Sequence, residues 1–153
     1  MVTLHSGKQI IIDNKRIASK EAAAAISQEE AFKNTLTYQV LKKHNHSDNM
    51  EHLQIQFDSM GVYDNTYVGI LQTAYASGLK EFPMPCVFTN CHNCLCAVGG
   101  TINTDVHKYA ESACKKSGGM FVPPHEAGIH QYMREMMSGT GKMILGSDSH
   151  TRY

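Results

Sequence analysis

The chain has 153 residues, 42% of them hydrophobic and 18% charged, which is enough for one ordinary globular core and too little for two. Lys and Arg number 14 against 14 Asp and Glu, so no net field draws in polyanions, and nucleic acid and anionic membranes are disfavoured as partners. No apolar run reaches the roughly 20 residues of a membrane-spanning helix, no secretory leader opens the chain, and three of five cysteines (Cys91, Cys94 and Cys96) crowd together in a way that suits reduced thiols, so a cytoplasmic protein is expected.

Residues 1–26 read as an N-terminal extension with one short apolar strand at 10–12. Ser27 with Glu30 makes a capping box, opening a helix that carries Phe32, Leu36 and Val40 along one stripe and ends at the cationic Lys42, Lys43 and His44. Residues 53–57 alternate apolar and polar, as a half-buried strand does, and Asp58 closes the run. Asp64, Asn65 and Thr66 offer N-caps for a helix with Val68, Leu71 and Tyr75, which Gly78 terminates. Pro83 and Pro85 precede a strand at 86–88. Val106, Tyr109, Ala110, Ala113 and Cys114 then fall at the i, i+3, i+4, i+7, i+8 spacing of an amphipathic helix that stops at Gly118 and Gly119. A strand at 120–122, a helix at 127–137 and a last strand at 142–146 complete the pattern. Strand and helix alternate too closely for separate domains, so residues 27–153 are expected to form one α/β domain: a three-layer α/β/α arrangement on a mostly parallel, doubly wound sheet.

Open parallel sheets bind ligands beyond the carboxyl ends of their strands. That rule selects the loop at 89–96, with Cys91, His92, Cys94 and Cys96, and the loop at 147–151, with Asp148, Ser149 and His150. A carboxylate, a hydroxyl and an imidazole in consecutive positions suit either carboxylate binding and proton transfer or an Asx turn, and spacing leaves both open. Cys91, Cys94, Cys96 and His92 could supply soft metal ligands, but no second Cys/His pair has zinc-ribbon spacing, and inert thiols are the simpler reading. His130 reads as a core or rim residue of its helix, and Met133, Met136 and Met137 as packing. His5, His44, His46, His52 and His107 read as solvated or capping residues.

The run from Gly146 to Thr151 resembles the Gly-Ser-Asp-Ser-His-Thr signature of the aconitase superfamily of iron–sulfur hydro-lyases. Gly128-Ile129-His130-Gln131 is similar to that family's histidine helix, and the segment from Thr89 to Gly100 to the stretch where aconitases carry Asp-His before Gly-Gly. Asp64-Asn65-Thr66 resembles the first substrate-side loop. The likeness runs from about residue 27 to residue 153 and points to a hydratase branch distinct from aconitase itself and isopropylmalate dehydratase.

This resemblance implies that Asp148, Ser149 and His150 line the substrate side, with Ser149 donating to a substrate carboxylate, Asp64 on the same side, and His130 close by. His92 matches the histidine that, paired with an aspartate, protonates the departing hydroxyl, although the preceding residue here is Cys91. The family's [4Fe–4S] cluster is held by three cysteines downstream of the Asp-Ser-His motif and its general-base serine lies on a swivelling domain; this chain ends before either. Cys91, Cys94 and Cys96 do not match those ligands, so no metal ligand is expected here. The resemblance thus implies part of a hydratase acting on a small hydroxy-carboxylate, inactive alone and partnered by the remaining domains. A stand-alone metal-binding or thiol-redox module built on the loop from Cys91 to Cys96 is the alternative, and an inert fragment a third reading.

Overall fold

The computed structural model describes residues 26–91 and 101–151, together with two strands near the N-terminus and residues 2, 4, 6 and 24. His92, Cys94, Cys96 and His5 lie outside the described residues. The chain divides into two compact units, residues 1–55 and 56–153.

In the first unit, β1 (Gln9–Ile12) pairs antiparallel with β2 (Lys15–Ala18), a polar strand with no apolar alternation to announce it. The single helix expected after Ser27 is two, α1 (Gln28–Lys33) and α2 (Leu36–His44). Thr35 makes the break: its hydroxyl donates to Phe32 O at 2.8 Å and accepts from Tyr38 N at 3.2 Å, ending one helix while capping the next. The expected apolar stripe is consequently not buried, with Phe32 63% and Leu36 75% exposed. His44, read as a solvated or capping residue, is buried and meets a carbonyl of the last turn, its Nδ1 lying 2.8 Å from Val40 O. The strand expected at 53–57 is absent; Ile55 makes an isolated antiparallel bridge to Asn45.

The first strand of the second unit is instead β3 (Ser59–Tyr63). Its burial does not alternate, because helices cover both faces of the sheet, and such strands lose the period-two signal. Gly61 disguises it further, yet a side chain there would bring a Cβ within 2.9 Å of Met133 Cγ. Asp58 clamps the strand's start: its carboxylate accepts from Met143 N at 2.8 Å and Lys142 Nζ at 3.1 Å.

A 3-10 turn (Asp64–Thr66), α3 (Tyr67–Ala76), β4 (Cys86–Thr89), α4 (Ile102–Ser117) and β5 (Met120–Phe121) follow. The expected helix at 127–137 resolves into a short α5 (Ile129–Tyr132) continued by a π-helical turn (Met133–Met137), and β6 (Ile144–Gly146) closes the unit. The strand order is β5-β4-β3-β6, with every pairing parallel. Alternate residues sort the layers: Met60, Val62, Cys86 and Phe88 pack with Tyr67, Leu71, Ala110 and Cys114 of α3 and α4. Tyr63 and Val87 pack oppositely, with Ile129 and Met133 of α5 and its turn. The fold is therefore the three-layer α/β/α arrangement on a parallel sheet. Tyr67 takes the core place expected for Val68, which is 37% exposed, and Met136 is 66% exposed where packing was expected. Among the described residues no helix is long and apolar enough to cross a membrane.

Candidate active site

Because all four strands run the same way, their carboxyl ends open onto one edge. Asp64 follows β3, Asn90 and Cys91 follow β4, Ser147 and Asp148 follow β6, and the chain leaving β5 leads to His130 on α5. Short polar contacts lock these ends together. Ser147 N donates to Gly61 O at 3.0 Å, and its hydroxyl accepts from Tyr63 N at 3.1 Å and meets Thr66 Oγ1 at 2.9 Å. Ile129 N donates to Asn90 O at 2.7 Å, Asn90 Nδ2 to Val122 O at 3.1 Å and Thr89 Oγ1 to Ala127 O at 3.1 Å, fixing where α5 begins. The buried Tyr67 hydroxyl donates to Thr89 O, and burial, with Asp64 and Cys114 nearby, pushes that phenol up.

Asp148 is the hub. Its side chain is 3% exposed, and its Oδ2 accepts from His150 N at 2.7 Å and from His130 Nε2 at 3.0 Å. The His150 backbone bond above all, then His130, holds the carboxyl below its ordinary value although burial opposes them. An ionised carboxylate only accepts, so His130 donates to it from Nε2 and turns Nδ1 the other way. That Nδ1 lies 3.8 Å from Cys91 Sγ. The Cys91 backbone N in turn donates to Asp64 Oδ2 at 3.3 Å. Asp64 is fully buried, takes a second bond from Asn65 N at 3.0 Å, and stands 4.0 Å from His107 Nε2. Burial pushes His107 down, Asp64 partly restores it and His125 lowers it again. Beyond the hub the site is open: the His150 side chain is 83% exposed, with Nδ1 3.1 Å from Ser149 Oγ and its ring 6.4 Å from that of His130.

Four of the residues read from the sequence, His130, Asp148, Ser149 and His150, thus converge. Asp64 joins them from beneath, through the backbone of Cys91, with its carboxylate shielded from solvent. His92 is outside the described residues. His107, read as a solvated or capping residue, is a buried neighbour of the site. It shares the stripe of Ala110 and Cys114 at i, i+3 and i+7, and that spacing was the available signal.

The described residues do not offer the three thiolates that would hold an iron–sulfur cluster. Among the described cysteines, Cys86 and Cys114 are buried in the α3/α4 core, where burial pushes their thiols up to about 12 and about 11, and Cys91 alone stands at the edge.

The model of the Aconitase family (aconitate hydratase) matches residues 38–153. Over 49 residues the chain is 47% identical to a protein of Emericella nidulans named "Putative aconitate hydratase, mitochondrial" and 45% identical to one of the same name from Aspergillus fumigatus. Each match covers 32% of this chain and 6% of the relative, so the matched stretch spans a small part of those proteins. No solved structure matches with significance. The family match takes in the whole of the second unit and the end of the first, most of the chain, and the chain is therefore a member of the aconitase family.

Proposed function

We propose that this chain supplies the carboxylate-binding and proton-handling edge of an aconitase-like hydro-lyase, which adds or eliminates water on a small hydroxy-carboxylate. The observation that carries the reading is the His130–Asp148 pair set behind the exposed Ser149 and His150. A buried carboxylate that fixes one ring nitrogen leaves the other as a directed proton acceptor, the arrangement general acid–base chemistry needs. On the open rim, the Ser149 hydroxyl donates to a substrate carboxylate and the His150 ring supplies a second polar contact. Asp64 acts by holding Cys91 in place, and His92 takes the role of protonating the departing hydroxyl. Residues 27–153 form the first α/β/α domain of this enzyme, the remaining domains complete the site, and the chain alone binds substrate without turning it over. The [4Fe–4S] cluster belongs to those other domains. A reducing compartment, cytoplasmic or mitochondrial, suits the thiols of Cys86, Cys91 and Cys114.

Titrating the metal-free chain with citrate while following the imidazole resonances tests this. His130 and His150 signals should move together and saturate, and Ser149→Ala should weaken the binding. Saturable binding that leaves both rings unmoved, or no binding at millimolar citrate, sinks the reading.

A further inference from the structure

The same edge gathers a thiol, an imidazole and a carboxylate from three separate segments. Cys91 Sγ, a ring nitrogen of His130 and a carboxylate oxygen of Asp148 all lie within 4.8 Å of one another. A tetrahedral zinc ion bonds sulfur at about 2.3 Å, nitrogen at about 2.0–2.1 Å and carboxylate oxygen at about 2.0–2.2 Å, which sets its ligand atoms roughly 3.2–3.6 Å apart. Cys91 Sγ stands 3.8 Å from His130 Nδ1 and Asp148 Oδ2 stands 3.0 Å from His130 Nε2, so the three donor atoms need close in by only about 1 Å, from the 4.8 Å limit, to reach that range on one shared ring nitrogen. Without an ion the ring bridges its two neighbours through opposite nitrogens; with one, a single ring nitrogen turns to the metal.

Charge and support point the same way. A thiolate and a carboxylate together carry two negative charges, matching a divalent cation. The Asp148 side chain is 3% exposed, and its cationic partners among the described residues are the imidazoles of His130 and His150, neither a permanent charge. A buried carboxylate so placed gains from a metal ion. Both outer ligands are already held: Asp148 by His150 N and the Cys91 backbone by Asp64. Access is open past His130, 26% exposed, and His150, 83% exposed.

We propose that Cys91, His130 and Asp148 form a mononuclear site for a divalent ion of zinc-like character, with three protein ligands and a fourth position left to water. The mixed sulfur, nitrogen and oxygen donors favour such ions over magnesium and calcium, which want oxygen alone. The site needs neither the hydratase reading nor any downstream cysteine.

Zinc affinity of the full chain, measured by competition with a chromophoric chelator, and the absorption of its cobalt form test this without turnover. One zinc should bind per chain, unaffected by excess magnesium, and cobalt should show thiolate charge-transfer absorption in the near ultraviolet. Cys91→Ser and His130→Ala should each weaken zinc binding by more than the ~10–100-fold that loss of a supporting contact costs. Cys91→Asp, which keeps a charged donor, should retain a metal ion but lose the charge-transfer band. Far-ultraviolet circular dichroism identifies variants that fail to fold, and the Cys91→Asp band change then carries the test. No stoichiometric zinc, a band that survives Cys91→Asp, or binding that survives Cys91→Ser and His130→Ala but disappears in a Cys94→Ser/Cys96→Ser double variant would each overturn the proposal. Citrate binding is measured on metal-free chain, so either idea can fail without the other.

Discussion

Replacing Asp148 by Asn keeps its volume and removes its charge, which isolates the carboxylate's contribution to the fold. Two bonds converge on Oδ2, from His150 N at 2.7 Å and His130 Nε2 at 3.0 Å. Bonds to an ionised acceptor contribute about 1.5–3 kcal/mol against about 1 kcal/mol for a neutral one, so the substitution forfeits about 1 kcal/mol per bond and about 2 kcal/mol in all. For a chain of this size that lowers the melting temperature by about 4–8 °C. The pH dependence gives the sharper test. The folded carboxyl titrates below its ordinary 3.8, so near that pH the folded chain binds fewer protons than the unfolded one. Its contribution is complete above 3.8 and drains away as pH falls through the lower folded value. Asn has no such titration, so wild type and Asp148→Asn should differ fully near neutrality and converge in strong acid. Urea denaturation of both proteins across that range reads the gap directly. Equal stability near neutrality, or a gap unchanged in acid, refutes the argument that the ionised carboxylate ties this edge together.

Ser149→Ala should weaken citrate binding by one charge-assisted bond, about 1.5–3 kcal/mol, and leave melting almost unchanged. A variant that instead loses about 0.5–2 kcal/mol of stability and binds normally would make Ser149 a turn cap and no more. Gly61→Ala would press a methyl group to 2.9 Å from Met133 Cγ, at a cost of about 1–3 kcal/mol in urea denaturation; a neutral result would mean that Met133 moves aside freely. Iodoacetamide at mildly alkaline pH should label Cys91 and spare Cys86 and Cys114, whose thiols burial pushes up to about 12 and about 11; rapid labelling of either in the native chain contradicts their core placement. Tyr67→Phe leaves one fewer donor for the Thr89 carbonyl, a loss of about 1–3 kcal/mol measurable by the same denaturation.

Which parts of this architecture were legible follows from how each element is buried. Helix α4 shows its stripe because one face meets the sheet and the other meets water, and Gly118, at φ +83°, supplies the left-handed stop that its sequence advertises. Strand β4 stands out because prolines isolate it. Strand β3 hides because both faces are covered, so Ser59 to Tyr63 carries no alternation, and its glycine, there for Met133, looks like a breaker. The alternating 53–57 segment misleads for the opposite reason. It is a half-exposed connection, with Leu53 37% exposed, tied among the described residues only to Asn45 and His46 through Gln54 and Ile55 and making no ladder.

The site divides along similar lines. Asp148, Ser149 and His150 were legible because three titratable or hydroxyl groups directly follow an apolar strand. His130 came beside them only through the family resemblance; its own surroundings in the sequence read as core or rim, since the pairing with Asp148 depends on Asn90 and Thr89 anchoring the start of a four-residue helix across the sheet edge. A lone helical histidine carries no mark of that. His107 was misplaced because it interrupts an otherwise apolar stripe, and the polar letter outweighed the spacing.

The sequence leaves Asp148 with two readings, a turn-former or a chemical group, and the geometry lets one carboxylate oxygen serve both. The same Oδ2 closes an Asx turn onto His150 N and receives His130 Nε2, so the atom that shapes the loop also orients the ring behind it. Ser149 and His150 are presented to solvent by that turn, and their geometry depends on a charge buried beneath them. Changes at Asp148 must therefore disturb stability, ring protonation and ligand binding together, whereas changes at Ser149 touch ligand binding alone. Comparing Asp148→Asn with Ser149→Ala separates the scaffold of this edge from its chemistry: coupled losses in the first and a single loss in the second are what the proposed function requires.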